Sequence, residues 1–229
     1  MRDRPKTSLP KNCGLRAYPH VSLQSLPCFT CWSVQRMTLS AELLWALIGL
    51  LLTIAGTFLE ASIAVPTRDW GNQALQTQSL GITYQFGAGL LVACVGGRNA
   101  AVLSQVAYIM LGLTPWFPVF AKGGGLEYLR ESSFGYLLGF VPAAWICGYI
   151  AFKSLPRLES LAISCLSGLL TIHITGALYL GLLRLLGVVA QADLWAALYR
   201  FSLAPLPGQL AVVCAVTLLA YGLRQLLFY

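Results

Sequence analysis

The residues best suited to chemistry in this chain lie in one segment, Thr114 to Phe140. Three consecutive glycines, Gly123, Gly124 and Gly125, sit there among Trp116, Phe117, Phe120, Tyr128, Phe134 and Tyr136. Glycine lets backbone approach a ligand or a neighbouring helix, because no Cβ intervenes and positive φ costs little. An aromatic-lined, partly polar recess suits a small amphiphilic molecule. An interfacial loop carrying an aromatic belt has the same composition, so the segment alone leaves both readings open.

Other polar groups are scattered. Gln85, Gln105, Thr171, His173 and Thr175 fall in uncharged stretches, where an unsatisfied polar group is costly and turns to another helix, to water or to a ligand. His173 has no second His, Cys or carboxylate close by in sequence, so an interhelical hydrogen bond is expected of it rather than a metal site or proton relay. No nucleophile, base and orienting carboxylate are clustered, which disfavours an enzyme. The chain also lacks a G-x-x-x-x-G-K-[ST] loop and has no ATPase site of its own. Cys28-Phe29-Thr30-Cys31 is a CxxC pattern, but it has neither a partner pair nor a βαβ context. Cys94, Cys147, Cys165 and Cys214 fall one each in apolar helices and read as small core residues. Neither a cofactor nor a metal is expected.

The elements that must position these residues follow from composition. With 57% hydrophobic and 10% charged residues in 229 positions, the chain is far from the soluble norm of roughly 25% charged. Uncharged windows cover 43 to 59, 70 to 97, 99 to 121, 132 to 152, 160 to 183 and 201 to 223. Most approach or exceed the roughly 20 residues that cross about 30 Å of hydrocarbon as a helix. The expected fold is therefore an all-α integral membrane bundle of six transmembrane helices. Their apolar cores lie at Ala41 to Ser62, Leu80 to Gly97, Asn99 to Leu113, Phe134 to Phe152, Leu158 to Leu186 and Gly208 to Phe228. The third is short, and Pro115 and Pro118 end it. Val188 to Leu203 reads as an amphipathic interfacial stretch.

Ten of the fifteen Lys and Arg residues fall on the N-terminal side of this topology, and Arg68, Lys122, Arg130, Arg184 and Arg200 fall on the other. That bias puts both termini in the cytoplasm. Its direction rests on the first 36 residues, since without them the count is four against five. The net charge of +7 is then a matter of topology and calls for no nucleic-acid partner. Residues 1–36 are polar, basic and proline-bearing, and are expected to be a disordered extension or a non-native start, with Met37 as an alternative first residue. Residues 37–229 form the membrane domain.

Several short motifs resemble one family. Pro118-Val-Phe-Ala121, Gly123-Gly-Gly-Leu-Glu-Tyr-Leu129 and Phe134-Gly-Tyr-Leu-Leu-Gly-Phe140 are similar to the signature of BioY proteins. These are the biotin-binding S components of energy-coupling-factor (ECF) transporters. Thr83-Tyr84-Gln85 resembles the family's Thr-x-Gln entering the second helix, and Leu206-Pro207-Gly208 its Leu-Pro-Gly entering the sixth. The resemblance implies an S-component-like fold whose biotin pocket lies near the outer surface. It also implies partners: a transmembrane coupling subunit and ATPase subunits on the cytoplasmic side. The ligand-binding residues it implies, together with the glycine-rich segment, are Gln85, Lys122, Gly123, Gly124, Gly125, Tyr128, Phe134, Tyr136 and Gln209.

At the start of the sixth helix the chain departs from the pattern. Family members usually carry an acidic residue after Leu-Pro-Gly and a lysine three positions later, whereas Gln209 and Val212 stand here. A carboxylate accepts two hydrogen bonds from a ureido ring, while an amide offers one acceptor oxygen and an NH₂ donor. Lower affinity or a different vitamin-like ligand is the alternative expectation, with Lys122, Arg130 and Arg200 as candidate replacement cations. Each of these could equally be a snorkelling anchor. Gly49, Ala55 and Gly56 would permit close contact on the first helix, which in the family docks the coupling subunit, although no clean small-residue repeat is present.

Overall fold

The computed structural model describes residues 38–66, 75–117, 119–120, 123–155, 157–187 and 191–228. The expected N-terminal extension 1–36, including Cys28 and Cys31, lies outside the described residues, as does Lys122. Uncharged, leucine-rich sequence becomes helix wherever it is apolar throughout. Helix α1 spans Leu39–Phe58, α6 spans Leu158–Leu185 and α8 spans Leu206–Phe228. Two short helices, α4 (Phe134–Leu138) and α5 (Phe140–Lys153), meet at Gly139 and continue as one helical stretch. A Cβ at Gly139 would stand 3.0 Å from the Ile172 Cα, so glycine lets this junction lie against α6.

The expected second helix is corrected. Its window, 70 to 97, is uncharged but not apolar at its start, where Gln76, Thr77, Gln78 and Ser79 follow one another. Those residues, together with Leu80–Thr83 of the expected helix, belong to an antiparallel hairpin of β1 (Glu60–Pro66) and β2 (Leu75–Thr83). Its register runs from Ser62 opposite Ser79 to Pro66 opposite Leu75, with an irregularity between Glu60 and Ser62. Strand pairing satisfies backbone groups of a polar segment that could not rest in hydrocarbon. Helix α2 is left with only Gln85–Val95, and α3 follows directly as Gly97–Leu113.

Helix α2 is about 16 Å long, half the thickness of the hydrocarbon. It is buried on nearly all sides, consistent with contacts to α1, α3, α5, α6 and α8. A helix apolar all round belongs inside a bundle. Among the described residues, four helical stretches are long and apolar enough to cross a membrane: Leu39–Phe58, Phe134–Lys153, Leu158–Leu185 and Leu194–Leu227. The expected count of six is thus four, set in a bundle that remains α-helical apart from the hairpin. The stretch expected at the interface contains helix α7 (Gln191–Leu198), which runs through a π-helical turn, Tyr199–Leu203, toward α8.

Small residues close the helix contacts. Gly49 and Gly56 of α1 face inward, where Cβ atoms would meet Ser104 at 2.9 Å and the Gln85 backbone at 3.0 Å. Ala55 points outward. The glycines of α1 are therefore used inside the bundle, not on a face left for a partner. Of the four helical cysteines, Cys94, Cys147 and Cys165 are buried as expected, whereas Cys214 is exposed on α8.

Candidate ligand site

Helix α2 brings Gln85, its first residue, beneath the hydroxyl of Tyr108 on α3. Gln85 Nε2 donates to Tyr108 Oη at 2.9 Å, Tyr108 Oη donates to the Val119 carbonyl at 3.1 Å, and Thr57 Oγ1 stands 3.2 Å from the same hydroxyl. Tyr108 is fully buried, so this hub ties α1, α2, α3 and the segment after α3 through one oxygen. Below it, Gln105 Nε2 donates to Thr53 Oγ1 at 3.0 Å, while Gln105 Oε1 is buried without a partner among the described residues. Removing the hub hydroxyl strands Gln85 Nε2 and the Val119 carbonyl, at about 1–3 kcal/mol for each buried group left unpaired. Tyr108→Phe is accordingly expected to lower the melting temperature in a thermal-shift measurement, although the ring itself is retained.

From Tyr108 the aromatic rings continue as a ladder. The Tyr108 and Phe120 centroids are 5.4 Å apart, Phe120 and Tyr128 4.7 Å, Tyr128 and Phe134 6.2 Å, and Phe134 and Tyr179 5.9 Å. The glycines shape the turn that carries it. Gly123 exchanges both backbone hydrogen bonds with Phe120 at 3.1 Å, and Gly125 N–H donates to the Gly112 carbonyl at 2.9 Å. Gly123 has φ 113° and Gly125 φ 96°, a region that side chains rarely tolerate. Gly124 is exposed.

Two of the expected site residues belong to a second group. Tyr136 lies two residues from Phe134 on α4 and so points elsewhere. Its Oη is 2.6 Å from Ser202 Oγ, and its ring is 5.9 Å from Phe201 and 6.1 Å from His173. His173 Nε2 meets Gln209 Oε1 at 2.9 Å, the interhelical bond expected of it, now with its partner named. Nε2 is therefore the donor, and His173 Nδ1 is left as a buried acceptor without a partner among the described residues. Among the described residues, no partner is formed by the Gln209 NH₂, which can donate elsewhere. The two groups share α6, where His173, Gly176 and Tyr179 follow at three-residue spacing. A Cβ at Gly176 would stand 2.5 Å from the Tyr136 ring.

The expected open recess is not what the rings form. Phe134 is 1% exposed, Phe120 2% and Tyr128 7%, so the rings pack on one another. A cavity of about 10 Å³ nearby, lined by Phe86, Gly89, Leu90, Phe140, Ala143, Ala144 and Ile172, has room for about one water. A larger depression of about 390 Å³ lies against the outer faces of α1, α3 and α5, lined by Leu43, Leu103, Val106 and Trp145 among others. It is almost wholly apolar, as a surface facing acyl chains should be. Val212 is buried, and its Cγ1 would be 2.8 Å from a Cβ at Gly87, so this position serves the contact between α2 and α8. Arg130 and Arg200 are exposed, and Arg200 rests 5.9 Å from the Phe201 ring centre. Tyr108 and Tyr179 are ladder residues that the sequence did not point to, whereas Phe120 is one of the aromatics around the glycines. Polar side chains on one face of an apolar helix, Thr53 with Thr57 on α1 and Gln105 with Tyr108 on α3, were the available signal.

The model of the BioY family matches residues 34–228, from before α1 to the end of α8. The chain belongs to the BioY family. A biotin transporter BioY from Rhodobacter capsulatus is 32% identical over 156 residues, covering 65% of this chain and 77% of that one. An uncharacterised 21.2 kDa protein of Cyanophora paradoxa is 28% identical over 197 residues, 84% of this chain and 99% of that one. Among solved structures, the S component for biotin from an ECF-type ABC transporter superposes with a TM-score of 0.56 at 17% identity, covering 82% of this chain and 90% of that one. At that identity the likeness concerns the fold, which here is a membrane-embedded helical bundle. Within the BioY family match lie both the aromatic ladder and the start of α8.

Proposed function

We propose that this BioY-family chain is the membrane subunit that captures biotin for uptake. The observation that carries the reading is the family match over 34–228, supported by the biotin transporter BioY of Rhodobacter capsulatus. Gln85, Lys122, Gly123, Gly124, Gly125, Tyr128, Phe134, Tyr136 and Gln209 are the proposed ligand-binding residues. Because the ladder rings fill their own space, a bicyclic ligand has to part them. The turn carrying Gly123 and Gly125 has open space beside it, since a Cβ at either would meet nothing within 4 Å, so parting the rings there breaks backbone hydrogen bonds to Phe120 and Gly112 rather than side-chain packing. Gln209 donates from its NH₂ to the ureido carbonyl while His173 holds its oxygen, in place of the two bonds a carboxylate would accept.

Energy comes from partners, a transmembrane coupling subunit and ATPase subunits. The functional domain is 37–229, multi-pass in a bacterial plasma membrane with both termini cytoplasmic, as the distribution of Lys and Arg favours. A second reading, a different vitamin-like ligand on the same scaffold, is favoured by the Gln209–His173 pair and by Val212, which leave α8 without the family's acid and lysine. Uptake of labelled biotin tests the first reading. Cells lacking their own transporter are expected to accumulate biotin when the chain is expressed with the coupling and ATPase subunits. Accumulation of another vitamin in place of biotin would favour the second reading.

A further inference from the structure

At the opposite end of α2 from Gln85, three thiols meet. Cys94 of α2, Cys147 of α5 and Cys165 of α6 are each 0% exposed. Cys94 Sγ is 3.6 Å from Cys147 Sγ and 3.6 Å from Cys165 Sγ, and all three sulfurs lie within 4.8 Å of one another. A second buried group stands beside them. Arg224 of α8 is 6% exposed, donates from Nη1 to the Ala151 carbonyl at 3.0 Å and lies 4.3 Å from the centre of the Phe152 ring. Its charge is within electrostatic reach of Cys94 and Cys147, and no ion pair between Arg224 and a carboxylate is formed among the described residues. Two turns before Arg224 on α8, the buried Thr217 donates its hydroxyl to the Val213 carbonyl at 2.8 Å.

We propose that Cys94, Cys147 and Cys165 form a binding site for a soft divalent metal ion of the Zn²⁺ or Cd²⁺ type, with Arg224 as its counter-charge. Thiolate sulfurs select such ions over hard cations. At a metal–sulfur distance of about 2.3 Å, tetrahedral ligands stand roughly 3.8 Å apart, so the observed spacing takes an ion with little movement of the helices. Binding releases the three thiol protons and changes no oxidation state. Three thiolates and a divalent ion carry one net negative charge, which the guanidinium cancels. Packing of small apolar side chains explains buried thiols, but not a buried arginine that meets a carbonyl and a ring and, among the described residues, no carboxylate, an arrangement that is costly unless another anion answers it. The ion has a short way in, because the sulfurs lie within two helical turns of Gly96, Lys153 and Leu158 at the ends of their helices.

The test uses the full chain with Cys13, Cys28, Cys31 and Cys214 changed to serine, so that only the buried three remain. Titration with CdCl₂ in detergent, followed by thiolate-to-cadmium ultraviolet absorbance, is expected to saturate at about one ion per chain with about three protons released. Cys147→Ala in this background is expected to abolish the absorbance. Arg224→Met should weaken binding about 10- to 100-fold, the usual effect of removing a group that supports metal ligands. If Cys147→Ala loses its helical circular dichroism, X-ray absorption of the cadmium-loaded three-cysteine chain decides instead, with three sulfur neighbours expected. No saturable uptake by the folded three-cysteine chain, uptake unchanged in folded Cys147→Ala, or an oxygen-only shell around cadmium would overturn the proposal.

Discussion

Tyr128→Ala is expected to weaken biotin binding at least 30-fold, roughly 2 kcal/mol, while the protein still melts cooperatively. Tyr128 is the middle rung of the ladder, 4.7 Å from Phe120 on one side and 6.2 Å from Phe134 on the other. Its truncation removes the ring on which both neighbours rest, in the segment that carries the glycine turn. A buried aromatic ring in a desolvated site is the kind of group whose loss dominates a binding energy. Tyr128→Phe is the matched control, since it keeps the ring contacts and should bind biotin within a few-fold of the unaltered chain. Calorimetry on both variants, with a thermal melt on each, separates a binding defect from a folding one. Equal affinity of the alanine variant and the unaltered chain would remove the ladder from the ligand site.

The second large effect concerns the bundle itself. Gly148→Ala is expected to destabilise the protein by about 1–3 kcal/mol or more, seen as a lower melting temperature and loss of monodisperse material. A Cβ there would stand 2.6 Å from the Arg98 Cα and 2.8 Å from the Arg98 backbone nitrogen. Backbone cannot swing aside as a long side chain can, so α5 and α3 must separate, and the packing around buried α2 opens with them. Gly222→Ala on α8 is the control. Nothing lies within 4 Å of its Cβ, and alanine favours helix over glycine by up to about 1 kcal/mol, so it should be neutral or mildly stabilising. Matching losses in both variants would mean that the close approach of α3 and α5 is not what makes Gly148 sensitive.

Where the sequence is apolar from end to end, the helices could be read from it directly, as α1, α6 and α8 show. The expected helix from Leu80 and the observed strand differ over Leu80–Thr83, because these residues continue the strand begun by the polar run before them. Gln76, Thr77, Gln78 and Ser79 carry no charge, yet they cannot replace lost hydration in hydrocarbon, and the chain pairs them as a strand. Two of the six expected spans fall out of the count: the hairpin leaves α2 with 11 residues that other helices enclose, and α3, at 17 residues, ends at Leu113 before Pro115. The glycine-rich segment stands out by residue type as a candidate site. Its closure was not, because ring-to-ring packing depends on how α3, α4 and α6 meet. Tyr108 gave little sign of its role, since its partners Thr57, Gln85 and Val119 come from three separate elements. The three buried thiols were hidden by distance along the chain, with Cys94 lying 53 and 71 residues from the other two.

Direct titration of the purified chain with biotin in a calorimeter tests the central claim most closely. The account predicts saturable heat at about one biotin per chain, with a dissociation constant at or below the micromolar range, equivalent to about −8 kcal/mol or stronger. Desthiobiotin, which keeps the ureido group but lacks the sulfur ring, should bind more weakly. Absence of heat with biotin from a protein that melts cooperatively, together with saturable heat from a different vitamin, would contradict it.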